Sequence, residues 1–340
     1  MKSASLARSH DALARNDAPC LEILRPIGSG GAATVYLARL GGKVVALKQL
    51  HAFLADDPAC VAALEDEIRL GASVLHPNVV RTLGVVDGIG GAPAVVMEWV
   101  EGVDLAKLLR SAARARTLLP LDVVAAIVID ALDGLHAAHE CRGESGEPLE
   151  LVHRDVSPHN LLVGFDGVVR ITDFGVAKAA FRLQSTEEGV IKGKLGYLAP
   201  EQLTGVCGRR TDIFAVGAVL WELVTGSPMR SGAAPEMIVQ ILHGPSGRPS
   251  AVRPEAACLD AIIARALATF ADERFATAAE MAAAITAAVT PASPARVAEI
   301  VAEVLASDTE STTLPIAITE TSSTRTPAPP TSGTRLRTRR

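Results

Sequence analysis

The chain has 340 residues, 49% of them hydrophobic and 21% charged, with a formal net charge of −5. That length is ample for a sizeable core in one large domain or two lobes, and the net charge excludes a global nucleic-acid-binding footprint. The five cysteines, Cys20, Cys60, Cys141, Cys207 and Cys258, are scattered and form no CxxC pair, so they read as reduced thiols rather than a metal or disulfide framework.

Residues 1–20 mix Arg, His, Asp and Asn and lack the apolar stretch of a signal peptide; they read as a leader. No uncharged apolar run reaches the ~18 residues of a membrane span, and the chain reads as cytoplasmic with no membrane partner. From Leu21 to Val100 the pattern is strand-like with one helix. Leu21–Ile27 leads into a Gly-rich turn, and Thr34–Arg39 and Lys43–Leu50 alternate around Gly41-Gly42 as a hairpin. Ala59–Leu75 is apolar at helical spacing through Val61, Leu64 and Ile68. Val79–Asp87 and Pro93–Trp99 read as two further strands.

After Gly102 the character turns helical. Leu121–Glu140, Asp212–Leu223, Met237–Leu242, Leu259–Thr269 and Ala276–Val289 are the helix candidates, interrupted by a short hairpin, Leu161–Val163 and Val168–Thr172. The expected fold is therefore α+β and bilobal: a small antiparallel-sheet N-lobe with one helix over residues 21–100, and a larger, mainly helical C-lobe over 101–289. Residues 290–306 hold a candidate docking helix, with Val297, Ile300, Val301, Val304 and Leu305 on one face. Residues 307–340, rich in Ser, Thr and Pro, are expected to be disordered.

Four motifs carry chemistry. The first is the turn Gly28-Ser29-Gly30-Gly31-Ala32-Ala33-Thr34-Val35-Tyr36. Its glycines let backbone N–H groups approach a polyphosphate, and it feeds a strand, whereas a dinucleotide-binding turn opens a helix. The second is Lys48 in Val45-Ala46-Leu47-Lys48, a strand lysine able to hold phosphates as a point charge, with Glu67 on the following helix as its positioning carboxylate. The third is His153-Arg154-Asp155-Val156-Ser157-Pro158-His159-Asn160, and the fourth Asp173-Phe174-Gly175. Asp155 can accept and orient a hydroxyl proton. Asn160 and Asp173 offer hard oxygen ligands to a Mg²⁺ that bridges phosphates. His153 reads as packed scaffold, not as a base. His136 and His139 read as structural rather than a metal pair.

With Ala199-Pro200-Glu201 after them, these motifs occur in order over roughly residues 21–288. There the sequence resembles the eukaryotic-like (Hanks-type) serine/threonine protein kinases of bacteria. The resemblance implies transfer of the γ-phosphoryl group of ATP to a protein Ser or Thr, with Mg²⁺ (or Mn²⁺) as cofactor, and autophosphorylation. The partners implied are protein substrates and no nucleic acid; a homodimer is a candidate assembly for autophosphorylation in trans. It assigns Ile27, Gly28, Ser29, Gly30, Gly31, Val35, Ala46, Lys48, Met97, Glu98, Val100, Asp104 and Leu162 to the nucleotide pocket. Met97 matches the gatekeeper, Glu98 to Val100 the hinge, and Asp104 the ribose contact. Asp212 matches the aspartate that holds the catalytic loop, and Arg274 the buried partner of Glu201.

Three positions depart from the family pattern. Ala33 replaces the third glycine of the lid. Ser157 stands where the family has Lys, and Lys194 where it has Thr or Ser. The hypothesis drawn from this exchange is that Lys194 reaches the γ-phosphate region with Ser157 as its partner. His159 stands where tyrosine kinases carry Arg, and Pro158 fits the Ser/Thr pattern. Val176–Lys192 resembles an activation loop, in which phosphorylated Ser185 or Thr186 would pair with Arg154. Cys141–Glu150 reads as a loop insertion. The competing reading is a pseudokinase scaffold that binds nucleotide without efficient catalysis. A small-molecule phosphotransferase fits less well, because Ala199-Pro200-Glu201, Asp212 and Arg274 belong to a protein-substrate platform.

Overall fold

Gly41 and Gly42, with φ of 55° and 83°, close the hairpin between β2 (Ala33–Leu40) and β3 (Lys43–Leu50). A two-residue turn that matches strand twist needs positive φ at both positions, which glycine supplies without strain. The computed structural model describes residues 20–30, 33–55, 68, 71–143, 145–174, 195–244 and 247–312. With β1 (Leu21–Ser29), β4 (Thr82–Asp87) and β5 (Pro93–Glu98), these strands form an antiparallel sheet in the order β1-β2-β3-β5-β4. A four-residue helix, α1 (Ala52–Ala55), follows β3.

The two-residue period of the strands sorts the N-lobe into two apolar clusters. Val45 and Leu47 of β3 join Ala38, Ala94 and Val96 on one face. Ala46 and Leu50 join Leu54, Val80, Val95 and Met97 on the other. Lys48 shares the parity of Ala46 and Leu50 and so belongs to this second face, opposite Val95 in the β3–β5 register.

Two corrections apply to this lobe. Of the helix expected over Ala59–Leu75, residues 68 and 71–73 are helical, Val74 and Leu75 are described but not helical, and the rest, Glu67 included, lies outside the described residues. The strand expected from Val79 begins only at Thr82. Val79 instead bridges Ile171 in parallel, and Val80 N donates to Ile171 O at 2.8 Å, so this stretch is bound to the other lobe.

The second lobe opens with a strand the sequence did not announce, β6 (Gly102–Asp104), in a three-stranded sheet with β7 (Leu161–Gly164) and β8 (Val169–Ile171). Its helices are α2 (Leu105–Arg114), α3 (Leu121–His139), α4 (Arg209–Thr225), α5 (Ala234–His243), α6 (Asp260–Ala266), α7 (Ala278–Ala288) and α8 (Pro294–Thr312). α3 and α4 are buried nearly all round, as expected for helices at the centre of a large core. α3 also holds the β7–β8 hairpin: Val169 N donates to Asp130 Oδ2 at 2.8 Å, and Asn78 Nδ2 donates to Val169 O at 2.9 Å. A Cβ on Gly134 would stand 2.5 Å from Asn78 O, so only glycine lets α3 approach there.

Helix limits differ from expectation where side chains take the backbone away. The helix expected to run to Thr269 ends at Ala266, because the carbonyls of Ala268 and Thr269 accept from Arg274. At the other extreme, α8 continues to Thr312, past residue 307, where disorder was expected to begin. Ser111 Oγ and Arg114 Nη1 of α2 both donate to Asp308 at 2.9 and 3.2 Å, which holds its last turns. Val297, Ile300, Val301 and Val304 of α8 are buried in the main core. Among the described residues no helix is long and apolar enough to cross a membrane.

Candidate active site

The cleft between the sheets collects side chains from four separate stretches of sequence. Lys48 Nζ lies 2.6 Å from Asp173 Oδ1, linking β3 to the segment after β8. Beyond it, the Gly-rich turn joins β1 to β2 with Ser29 opposite Thr34 and Gly30 N donating to Ala33 O at 2.9 Å. A Cβ built on Gly28 would meet no atom within 4 Å. The protein's own packing among the described residues therefore does not require glycine there, and the space beside the backbone is open to a ligand that approaches closely. Gly31 lies outside the described residues.

The loop that carries Asp155 is fixed by backbone hydrogen bonds to one buried carboxylate. Asp212, in the first turn of α4, accepts from His153 N at 2.8 Å and from Arg154 N at 2.8 Å. Arg154 pays for this in conformation, with φ of 64°, and Asp173 has φ of 61°. Non-glycine residues rarely enter that region, at a cost of about 1–3 kcal/mol each, and the surrounding hydrogen bonds hold both in place. His153 is buried, with Nε2 3.0 Å from Thr172 O and its ring 5.0 Å from that of Phe174. Phe174 in turn packs with Val74, Val79, Ala138 and Leu151. Asp155 and Asp173 are thus tied to one framework.

Asn160 closes the loop. Its Nδ2 donates to Asp155 O at 2.7 Å and to Asp155 Oδ2 at 3.1 Å. That commits the amide nitrogen and leaves the carbonyl oxygen as the atom able to accept a cation. Asn160 Oδ1 and the carboxylate of Asp173 make a sparse set of hard oxygen donors. Such a set suits Mg²⁺, which keeps most of its octahedron for phosphate and water. Among the described residues there is no cluster of three or more His, Cys, Asp or Glu that would cage a metal by protein groups alone. Ser157 is buried at the N-terminus of the short turn Pro158–Asn160; Lys194 and Glu67 lie outside the described residues, so the Lys194–Ser157 exchange does too.

Around the cleft the apolar residues expected at the nucleotide pocket converge. Ala46 and Met97 are buried in one cluster, with Val35, Val100 and Leu162 packed against it. Val35 is opposite Lys48, and Ala46 is opposite Met97. Asp104 is opposite Leu162 across β6–β7, which sets the ribose candidate beside another residue expected at the pocket. Asp104 Oδ1 also caps α2 by accepting from Lys107 N at 2.7 Å. Glu98 ends β5 and its Oε1 accepts from Arg81 N at 3.0 Å. Ile27 falls at a bulge in β1 and is not among the residues of this cluster. Behind Met97 a small cavity is lined by Ile68, Gly71, Val80, Thr82, Val95 and Phe174.

On the far side, Arg274 Nη1 and Nη2 pair with the two oxygens of Glu201 at 2.7 and 2.8 Å. Burial alone pushes the Glu201 carboxyl up, but the Arg274 and Thr211 hydrogen bonds outweigh it and hold it below its ordinary value. Sequence reasoning missed three further contacts. His139 Nε2 lies 2.8 Å from Asp212 Oδ2, Tyr197 Oη donates to Glu222 Oε2 at 2.5 Å, and Arg230 is buried against the segment before Ala199. Only the first left a sequence trace: a histidine on the apolar face of a long helix. Ser185 and Thr186 lie in residues 175–194, outside the described residues.

A family model described as protein kinase domain matches residues 21–250. The chain is 39% identical over 273 residues to a tyrosine-protein kinase, MasK, of Myxococcus xanthus, covering 77% of this chain and 42% of MasK. It is 33% identical over 271 residues to the serine/threonine-protein kinase PknB of Mycolicibacterium smegmatis, covering 76% of this chain and 41% of PknB. The chain thus matches less than half the length of these relatives. The crystal structure of the Mycobacterium tuberculosis PknI kinase domain superposes with a TM-score of 0.59 at 26% identity, covering 79% of this chain and 96% of that one.

Proposed function

The chain belongs to the protein kinase domain family, and from that premise we propose that it transfers the γ-phosphoryl group of ATP to Ser or Thr hydroxyls of proteins. The observation that carries this reading is the 2.6 Å contact of Lys48 Nζ with Asp173 Oδ1, together with an Asp155 carboxylate hydrogen-bonded to Asn160. These groups supply what phosphoryl transfer asks of a protein: position, and positive charge against the phosphates.

In this reading the glycine turn and Lys48 hold the polyphosphate, and the apolar cluster around Ala46, Met97 and Leu162 takes the adenine. Asp155 accepts the proton of the attacking hydroxyl and aligns its oxygen with the γ-phosphorus. Asn160 and Asp173 hold Mg²⁺, which when bound neutralises the phosphate oxygens. The P–O bond to the β-phosphate breaks as the new P–O bond forms, and ADP leaves.

A tyrosine acceptor is the second reading, favoured by the 39% identity to a kinase named for tyrosine. His159 and Pro158 favour Ser/Thr. The test is incubation with Mg²⁺ and γ-labelled ATP beside an Asp155→Asn control, followed by phosphoamino-acid determination. Label on protein that vanishes in the control, and is recovered as phosphoserine or phosphothreonine, supports the proposal. Phosphotyrosine alone replaces it with the second reading. Nucleotide binding without transfer replaces it with a pseudokinase. Label on the enzyme itself supports autophosphorylation.

A further inference from the structure

Arg230 stands in the loop between α4 and α5 and is 3% exposed. Its Nη1 donates to Leu198 O at 2.7 Å and reaches Leu195 O at 3.4 Å. Nε and Nη2 are buried with no hydrogen-bond partner among the described residues. Among the described residues no carboxylate pairs with it. Burial lowers its pKa to about 10, as expected for a cation taken out of water without a counter-charge. A buried guanidinium in this condition is costly, and an apolar side chain of similar volume would fill the site at lower free energy.

What the arginine gains is a grip on backbone. Its guanidinium lies 5.1 Å from the centroid of Phe214 on α4, and the guanidinium of Arg274 lies 4.8 Å from the same ring. Arg274 holds Glu201, while Arg230 holds Leu195 and Leu198. Between them Tyr197 is tied to Glu222 of α4. The stretch 195–201 is therefore fastened to α4 through Arg230, Tyr197, Arg274 and the Thr211 hydroxyl, with the two cations seated on one aromatic ring. This stretch runs into Ala199-Pro200-Glu201, the part of the chain assigned to the protein-substrate platform.

We propose that Arg230 is a positioning residue for the acceptor: by holding the Leu198 and Leu195 carbonyls it sets the backbone against which the acceptor protein lies. It touches neither nucleotide nor reacting atoms. The inference rests on the kinase reading above and deepens it on the acceptor side.

The test compares wild type, Arg230→Met and Arg230→Lys with myelin basic protein as acceptor, varying acceptor and ATP separately, with thermal melts alongside. Loss of one charged hydrogen bond predicts a roughly tenfold rise in KM for the acceptor in the Met variant. KM for ATP should be unchanged and the melting temperature equal or higher, because an unpaired buried cation has gone. Lys, which keeps one donor, should recover part of the loss. Hydrogen exchange across residues 195–198 should quicken in the Met variant, a readout independent of turnover. Unchanged acceptor KM with unchanged exchange overturns the proposal, as does a parallel rise in both KM values with a lower melting temperature. If wild type transfers nothing, the kinase reading fails first, and unchanged exchange is then what counts against Arg230.

Discussion

His139 Nε2 and Asp212 Oδ2 lie 2.8 Å apart, with each side chain 1% exposed. The same carboxylate holds the backbone of His153 and Arg154, so the loop bearing Asp155 hangs on one group with three donors. Asp212→Asn would turn an NH2 toward one of those donors. The expected cost is about 1–3 kcal/mol of stability for the unsatisfied group, read from urea unfolding. Displacement of the loop is expected to lower kcat by about 100-fold. His139→Phe should cost stability while lowering kcat less, because both backbone hydrogen bonds survive.

Lys48→Met removes the cation beside Asp173. We expect turnover to fall by at least ~100-fold, as for loss of a charge that stabilises a developing anion. The melting temperature should change little, because a lone methionine packs on the apolar face that Lys48 shares with Ala46. Circular dichroism and a labelled-ATP assay on the same sample check both halves. Loss of folding in the variant would show the lysine to be structural.

The Glu201–Arg274 pair predicts a pH dependence of stability. The folded pKa of Glu201 lies below its ordinary value of 4.5, so the unfolded chain binds more protons in the window between the two. The stabilisation is fully present above pH 4.5 and is lost as pH falls through the folded pKa. Urea midpoints from pH 3 to 7 should show this acid limb, and Glu201→Gln should flatten it. Arg274→Met strands a mostly buried carboxylate and should cost about 3–5 kcal/mol at neutral pH.

Much of this architecture was legible because the chemistry is written in order along the chain. Gly41-Gly42 announced its hairpin, since two positive-φ residues between alternating strands have few other uses. Lys48, Asp155, Asn160 and Asp173 stood at spacings that a shared site explains, and the structure pairs Lys48 with Asp173 and Asn160 with Asp155. What stayed hidden depends on distant partners. A three-residue strand such as β6 has no periodicity to detect and exists only because β7 pairs with it. Val79 looked like strand but bridges the opposite lobe at Ile171. Arg230, in Ser227-Pro228-Met229-Arg230-Ser231-Gly232, reads as a solvated loop charge, and nothing local reveals that Phe214 and two carbonyls bury it.

Truncation after residue 293 should unfold the chain, although the family match ends at residue 250. It would expose the contact surface of Val297, Ile300, Val301 and Val304 on the core. At about 1.5–3 kcal/mol for each buried aliphatic side chain, the loss rivals the whole stability of a typical domain, about 5–15 kcal/mol. A cooperative melt of the truncated chain at an unchanged temperature would contradict this.

α2 is held at both ends. Asp104 caps its first turn, and Asp308 of α8 grips Ser111 and Arg114 near its last. A helix of this length is a stiff rod of roughly 15 Å, so a carboxylate at the lip of the cleft cannot drift without bending it. Under the proposed kinase reading, the sugar of an arriving nucleotide would meet a group already immobilised during folding, and the entropy of ordering that edge would not count against the encounter.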